Sequence, residues 1–358
     1  MSDRELGSSS SLSEKHPLRI TLRDVAIFAG VSTKTVSRVV NNQGEISEKT
    51  RHRVQDAIDQ LGYHPNILAR SLVNNRTNTL AVVAWGIDYF GPSRVLVGIE
   101  NQANKLGYSL FLNLLCKPDD PNQDSNLDTL VSHRVDGIIW AVPEVGNNRA
   151  WLEQGRLEHL PPIVFLTMAP RPGFEIVAVD NQNGARQATQ HLIDQGRSKI
   201  GIITGPMTWW ESRERYSGWK TALEQAHLTP SPSLVVESEW SASGGEQAMR
   251  KLLMQEPHID GLFASSDQIA LGSLRVVHEL DWCVPQDLAI AGFDNIPESE
   301  FFWPPLTTVY QQLSEVGRIA VQALHATIEA NRRSKMPNEA SVRLVKPDLI
   351  VRASSLRA

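Results

Sequence analysis

The sequence predicts an α/β protein: an all-α helix-turn-helix headpiece at the N-terminus, then a core of two lobes built on parallel sheets. Three observations carry this. Residues 21–61 show three short amphipathic helical patterns with capping residues. From residue 79 onward, unbroken apolar runs alternate with helical patterns, as strands covered on both faces do. The 358 residues are too many for one small core and suit two or three domains.

The headpiece reads residue by residue. Thr21 and Asp24 form a helix-opening pair, although Glu or Gln would match a capping box more strictly. Leu22, Val25, Ala26 and Ala29 then fall on one helical stripe. Gly30 permits the turn and Ser32 caps the next helix. On that helix Val36, Val39 and Val40 face inward, while Thr33, Lys34, Ser37, Arg38 and Asn41 share the other side. A third helix spans about 48–61, with Ser47 before it, Val54, Ala57, Ile58 and Leu61 on its apolar stripe, and Gly62 after it. Two short helices and a tight turn with a free polar face present a recognition helix to DNA. A plain three-helix bundle with a solvated face would share the pattern, and charge separates the two. Residues 19–76 hold nine Lys or Arg against five Asp or Glu, a net +4 in a chain of net −5, so the remainder carries −9. A basic head on an acidic body suits a phosphate-binding module joined to a body that binds no nucleic acid.

Hydrophobic content of 41% and charged content of 21% are ordinary for a soluble globular protein, and no apolar run is long enough to span a membrane. The polar stretch 1–18 is expected to be a disordered tail and no secretory signal. Cys116 and Cys283 lack metal-ligand spacing and fit a reducing cytoplasm, so neither a disulfide framework nor a metal or cofactor site is expected. The headpiece is assigned to 19–65. The stretch 66–78, NILARSLVNNRTN, reads as a joint with a helix too short to be stable alone.

The core, 79–358, carries apolar runs at 80–85, 108–115, 136–142 and 162–168, with a helical pattern at 94–106 ending in Gly107. A second series follows at 176–180, 199–205, 233–238, 260–266 and 288–294. Ligands of open α/β sheets sit beyond the carboxyl ends of the strands. Those ends are Trp85, Trp140 and Ala141, Thr167, Gly205, Trp240 shortly after its strand, Ser266 and Asp294. Tryptophan stacks on the apolar face of a sugar, while Asp and Arg bond its hydroxyls. Core packing accounts equally well for any single tryptophan; three at predicted strand ends favour a pocket.

The headpiece closely resembles that of the LacI/GalR family of bacterial transcription regulators. The resemblance rests on T-L-R-D-V-A, the A-G-V-S turn, T-V-S-R-V-V-N and the later Tyr63-His-Pro-Asn66, and it continues to about residue 352. It implies a periplasmic-binding-protein-like core whose lobes exchange strands: lobe 1 at about 79–178 and 310–338, lobe 2 at about 179–309 and 339–352. The helix near 313–330 then belongs to the first lobe and the last strands, 342–351, to the second. It implies DNA contacts from Thr21, Ser32, Thr33, Lys34, Thr35, Ser37, Arg38 and Asn41, with Thr33, Lys34 and Arg38 at base edges. From 66–78 it implies a hinge helix that folds on DNA, contacting it through Asn66 and Ala69, with Leu72 wedged into the minor groove.

For the effector, the resemblance points to Arg215 in ESRERYSGW as the inducer-binding arginine, Asp294 in IAGFDN as the hydroxyl-binding acid and Trp240 in EWSASG as the stacking aromatic. Trp85, Phe90, Trp140, Thr167, Glu211, Ser266 and Gln311 complete the expected site. Arg213 is left to a structural role. Ser266 stands where sugar repressors often carry Asn, Thr167 replaces an acidic residue of the lactose repressor, Ala141 a polar one, and Glu211 stands where that protein has Ser. The anchors for a sugar ring are kept and the shell around them differs, which points to a sugar or glycoside other than lactose. The chain ends at Ala358 without leucine heptads, so a homodimer is expected.

The expected protein is therefore a cytoplasmic regulator, a repressor of carbohydrate-utilisation genes on a pseudo-palindromic operator in double-stranded DNA, under allosteric control by a sugar. A purine-like effector is the alternative, since aromatic walls also stack on bases. A sugar-transport or chemosensory protein would leave residues 19–76 unexplained, and no nucleophile motif, phosphate loop or metal cluster suggests an enzyme.

Overall fold

The computed structural model describes residues 20–41, 43–63, 76–119, 123–154, 159–333 and 340–356. They form two units, one ending at Thr77 and the other beginning at Asn78.

In the first unit α1 (Leu22–Ala29), α2 (Thr33–Val40) and α3 (Glu48–Leu61) pack around Val25, Val36 and Val54, all fully buried, with Tyr63 against them. The Thr21 hydroxyl accepts the Asp24 N–H at 3.4 Å, and the Asp24 carboxylate accepts the Thr21 N–H at 2.8 Å, so Asp closes the reciprocal cap despite its shorter side chain. Gly30 takes a left-handed φ of 61°, and the Ser32 and Ser47 hydroxyls cap α2 and α3. Residues 64–75, with Asn66, Ala69, Leu72 and most of the expected hinge helix, lie outside the described residues.

The second unit opens with β1 (Thr79–Ala84), α4 (Phe90–Lys105), β2 (Ser109–Leu114), α5 (Gln123–Ser132), β3 (Gly137–Ala141), β4 (Ile163–Leu166) and β5 (Glu175–Val179). It continues with α6 (Asn181–Asp194), β6 (Ile200–Thr204), α7 (Trp210–Gln225), β7 (Val235–Glu237), α8 (Ala242–Gln255), β8 (Gly261–Ala264), α9 (Asp267–Glu279), β9 (Ala289–Ala291) and β10 (Thr308–Tyr310). It closes with α10 (Leu313–Arg332), β11 (Val342–Val345) and β12 (Asp348–Ile350). A six-stranded parallel sheet, ordered β11-β5-β4-β3-β1-β2, builds the first lobe; a four-stranded parallel sheet, β7-β6-β8-β9, builds the second. Strands β10 and β12 pair antiparallel beside it. The chain passes between the lobes after β5, after β10 and after β11.

Two expectations need correction. The segment 342–351 does not belong wholly to the second lobe: β11 pairs in parallel with β5, Val342 opposite Ile176, and only β12 turns to the second lobe. Segment 176–180, read with the second series, is likewise β5 of the first sheet. A strand's residue content does not tell which sheet it pairs into. The second correction is β2, expected to be buried on both faces. It is an edge strand, and Leu112 and Leu114 are exposed.

Helices α4 and α10 lie together on one face of the first sheet, over a core that includes Ile99, Val316 and Leu324. Their crossing is tight because Gly98 and Gly317 stand at it. A Cβ on Gly98 would lie 2.1 Å from the Ser314 carbonyl oxygen, and one on Gly317 would lie 2.3 Å from that of Val95. Backbone on both sides leaves no flexible group to yield. Gly98→Ala is therefore expected to destabilise the core by about 1–3 kcal/mol. Gly91→Ala, where a Cβ meets nothing within 4 Å, is expected to be neutral or stabilising by about 0.5 kcal/mol. Thermal unfolding of the two variants distinguishes a packing constraint from a mere preference for glycine.

Candidate functional site

On the headpiece, Thr33, Lys34 and Arg38 are exposed along one side of α2, opposite the buried Val36 and Val39. Ser32 and Thr35 are engaged with each other at the helix start, their hydroxyls 2.9 Å apart, and the Asn41 amide donates to the Ser37 hydroxyl at 3.3 Å. Thr21 is held in its cap. This face thus presents the Thr33 hydroxyl and the Lys34 ammonium in the first turn of α2 and the Arg38 guanidinium in its last turn.

In the core, a cavity of about 160 Å³ opens between the lobes. From the first lobe it is walled by Tyr89 and Phe90 at the start of α4, Ala141 at the end of β3 and Thr167 after β4. Trp209, Glu211, Arg215, Trp240, Ser266 and Asp294 close it from the second, with Asn181 and Gln311 at the lobe crossings. Trp240 is laid against the carboxyl end of β6, where Gly205 makes room: a Cβ there would lie 2.2 Å from the indole.

Arg215 organises the floor. Its Nε donates to Asn181 Oδ1 at 2.8 Å, Nη1 to the Ser265 carbonyl at 2.6 Å and Nη2 to Gln311 Oε1 at 3.4 Å. Nη1 also lies 3.6 Å from the Asp294 carboxylate, and the guanidinium carbon sits 3.8 Å from the centre of the Phe293 ring. Gln311 Nε2 donates to Asp294 as well. Burial pushes the Asp294 carboxyl up to about 6, against the pull of Arg215 and Gln311. Burial raises Asp267 too, helped by the charge of Asp294, although Asp267 accepts the Ile296 N–H and the Thr308 hydroxyl. Asp294 at φ 118° and Thr167 at φ 49° hold backbone conformations costly for residues with a Cβ, of order 1–3 kcal/mol each.

Among the described residues, three buried wall atoms have no hydrogen-bond partner: Thr167 Oγ1, Glu211 Oε2 and Trp240 Nε1. A hydroxyl, a carboxyl oxygen and an N–H can together read both donors and acceptors on a ligand. Burial lifts Glu211 to about 7, with Arg215 and Arg149 opposing.

Of the residues expected from sequence, Phe90, Thr167, Glu211, Arg215, Trp240, Ser266, Asp294 and Gln311 meet at this cavity, whereas Trp85 and Trp140 do not line it. Trp140 is fully buried on the opposite face of β3, 5.0 Å from the Trp151 ring; its neighbour Ala141 takes the cavity side. Successive strand residues face opposite ways, so one residue decides the matter. Trp85 is held outside the wall by its Nε1 bond to the Cys116 carbonyl at 3.3 Å and packs tilted against Tyr89 and edge-on against Trp209. Arg213 is structural: Nη1 donates to the Met207 and Thr208 carbonyls. The sequence reading missed Tyr89, Asn181, Trp209 and Gln268. Asn181, directly after β5, and Trp209, before ESRERY, occupied places where a strand-end survey could have found them.

The sequence pattern of the bacterial regulatory proteins of the lacI family matches residues 21–66, and that of a periplasmic binding protein-like domain matches 189–355. The HTH-type transcriptional repressor PurR of Haemophilus influenzae (strain PittEE) is 35% identical over 341 residues, covering 93% of this chain and 98% of the relative. The chain belongs to the LacI family. The ribose operon repressor of Escherichia coli (strain K12) is also 35% identical, over 85% of this chain and 92% of its own. The lac repressor dimer bound to operator and the anti-inducer ONPF superposes with a TM-score of 0.84 at 27% identity, over 94% and 99% of the two chains. The transcriptional regulator CelR–cellobiose complex gives a TM-score of 0.69 at 30% identity, over 94% and 100%. The chain is thus a DNA-binding transcriptional repressor of the LacI family, with a helix-turn-helix headpiece and a two-lobed α/β core.

An acid whose folded pKa lies above its unfolded one binds protons more tightly in the folded chain. Glu211 therefore favours folding at acidic pH, and that contribution is lost as pH rises from about 4.5 toward about 7. Glu211→Gln is expected to unfold near the wild-type midpoint at pH 4.5 and to gain on it up to pH 7, by up to about 3 kcal/mol at about 1.4 kcal/mol per pKa unit. Thermal scans across pH 4.5–8 check this; a pH-independent difference would place the Glu211 carboxyl in water.

Proposed function

We propose that the protein is a homodimeric, sugar-responsive repressor of carbohydrate-utilisation genes, whose effector is a single neutral ring bound between the lobes. The observation that carries this is the pairing of aromatic walls, Phe90 and Trp240, with the Arg215–Asp294–Asn181–Gln311 network. Aromatic faces stack on the apolar side of a pyranose or furanose, and the network offers fixed donors and acceptors to its hydroxyls. The volume favours one ring, since a cavity of about 150 Å³ holds a benzene. The same walls suit a purine base, and the 35% identity to the HTH-type transcriptional repressor PurR is consistent with that second reading.

DNA and effector bind different relative arrangements of the lobes, so each weakens or strengthens the other by one reciprocal factor. Two headpieces, joined through Leu72-bearing hinges, read the two halves of a pseudo-palindrome. Thr21, Ser32, Thr33, Lys34, Thr35, Ser37, Arg38, Asn41, Asn66 and Ala69 form the remaining contact set, in which Thr33, Lys34 and Arg38 reach base edges.

Calorimetric titration with D-ribose, D-glucose, cellobiose and hypoxanthine tests the effector. Binding of a monosaccharide, lost in Asp294→Ala while operator affinity persists, is the expected result; binding of hypoxanthine alone would sink the sugar reading. For the headpiece, selection of operators from random DNA should return a paired half-site. Lys34→Ala should relax preference at one base position, at a cost of about 1–3 kcal/mol there. Uniform weakening on all sequences would make Lys34 a phosphate contact.

A further inference from the structure

The lobes are joined by more than the three chain crossings. After β3 the first lobe extends a loop, 143–148, that pairs with the segment leading into α7 of the second. The Gly146 N–H donates to the Thr208 carbonyl at 2.9 Å, the Trp210 N–H donates to the Glu144 carbonyl at 3.0 Å, and Val145 faces Trp209 as an antiparallel bridge. This short ladder is continuous with the cavity, because Trp209 and Glu211 both line it.

Each half of the ladder is shaped by its own lobe. In the first, the buried Asn148 side chain ties the loop three ways. Its Oδ1 accepts the Val145 N–H at 3.1 Å, and its Nδ2 donates to the Pro143 carbonyl at 2.9 Å and the Pro118 carbonyl at 2.7 Å. The Glu144 carboxylate is fixed by the Ala169 N–H at 2.9 Å and by Arg171 at 2.7 Å. In the second, Arg213 holds the Met207 and Thr208 carbonyls at 3.2 and 2.8 Å. The side-chain hydrogen bonds of each support stay within its own lobe, so each lobe brings a shaped edge to the other. Two backbone hydrogen bonds between preformed edges lose little conformational entropy on closing.

We propose that loop 143–148 is a latch between the lobes, and that Asn148 is a positioning residue for the effector site, acting through the latch on Trp209 and Glu211. The latch closes the cleft by protein–protein bonds, so closure does not wait for a ligand. It holds whichever ring chemistry the cavity takes.

Hydrogen–deuterium exchange of the full chain, with no small molecule added, tests this. The Gly146 and Trp210 amides should both be protected in the wild type. Each variant is then read on the opposite lobe. Asn148→Ala should speed exchange at Trp210 about tenfold or more, and Arg213→Ala should do the same at Gly146, while amides of β1 and β6 keep their rates. The second variant carries the test if the first fails to fold. The latch is overturned if either amide exchanges freely in the wild type. It is equally overturned if each variant loosens only its own lobe, because the two halves would then be shaped independently without holding each other.

Discussion

A guanidinium removed from water must spend its donors on the protein around it, and the core is arranged around one such group. Arg215 reaches from α7 to Asn181 just after β5, to Ser265 after β8, to Asp294 after β9 and to Gln311 after β10. Two of these partners, Asn181 and Gln311, stand where the chain passes between lobes. The side chains that meet a ligand are therefore bonded to the segments about which the lobes turn. Removing one partner would leave a buried charge unpaired, which costs several kcal/mol, so the network tolerates rearrangement better than loss. Any ligand that competes for a donor of Arg215 or an oxygen of Asp294 alters the bonding at the crossings directly, with no intervening relay.

The carboxyls around Arg215 show why the site is tuned so closely. Asp267 and Glu211 are buried and Asp294 is largely withdrawn from water, and burial raises each above its ordinary range. One cation cannot neutralise three acids, and the neighbouring Arg149, itself buried and lowered to about 10, contributes only part of the remainder. The site resolves this by giving Asp267 to backbone and Thr308, and Asp294 to Arg215 and Gln311. Glu211 keeps an oxygen, Oε2, that no donor among the described residues reaches. That oxygen is open to a ligand's donor or to a proton.

Much of this was legible in the sequence. The caps at Thr21, Ser32 and Ser47, the helical stripe of the headpiece and the apolar runs of both sheets are local signals, and local physics sets them. Trp240 and Asp294 stand out at predicted strand ends, the family resemblance adds Arg215, and the cavity gathers all three. What failed was relational. Trp140 and Ala141 differ by one position, and only the registry of β3 in its sheet decides which faces the ligand. Segment 342–345 forms an exposed edge strand, and nothing in its residues says that it pairs with β5. Asn148 carries no motif; its importance arises from carbonyls at Pro118 and Pro143 that only the folded loop brings to it.

The glycine seam between α4 and α10 has a mechanical consequence. Helix α4 starts at Phe90 on the cavity wall, and α10 starts at Leu313, two residues beyond Gln311. With Gly98 and Gly317 in backbone contact, neither helix can slide or roll against the other, so the pair forms a stiff bar. Its shorter member is 16 residues, about 24 Å at 1.5 Å per residue. A tilt of a few degrees imposed at the cavity end becomes a displacement of about an ångström at the other end. Gearing of this kind turns the small adjustments of a buried ring into motion large enough to be felt outside the lobe.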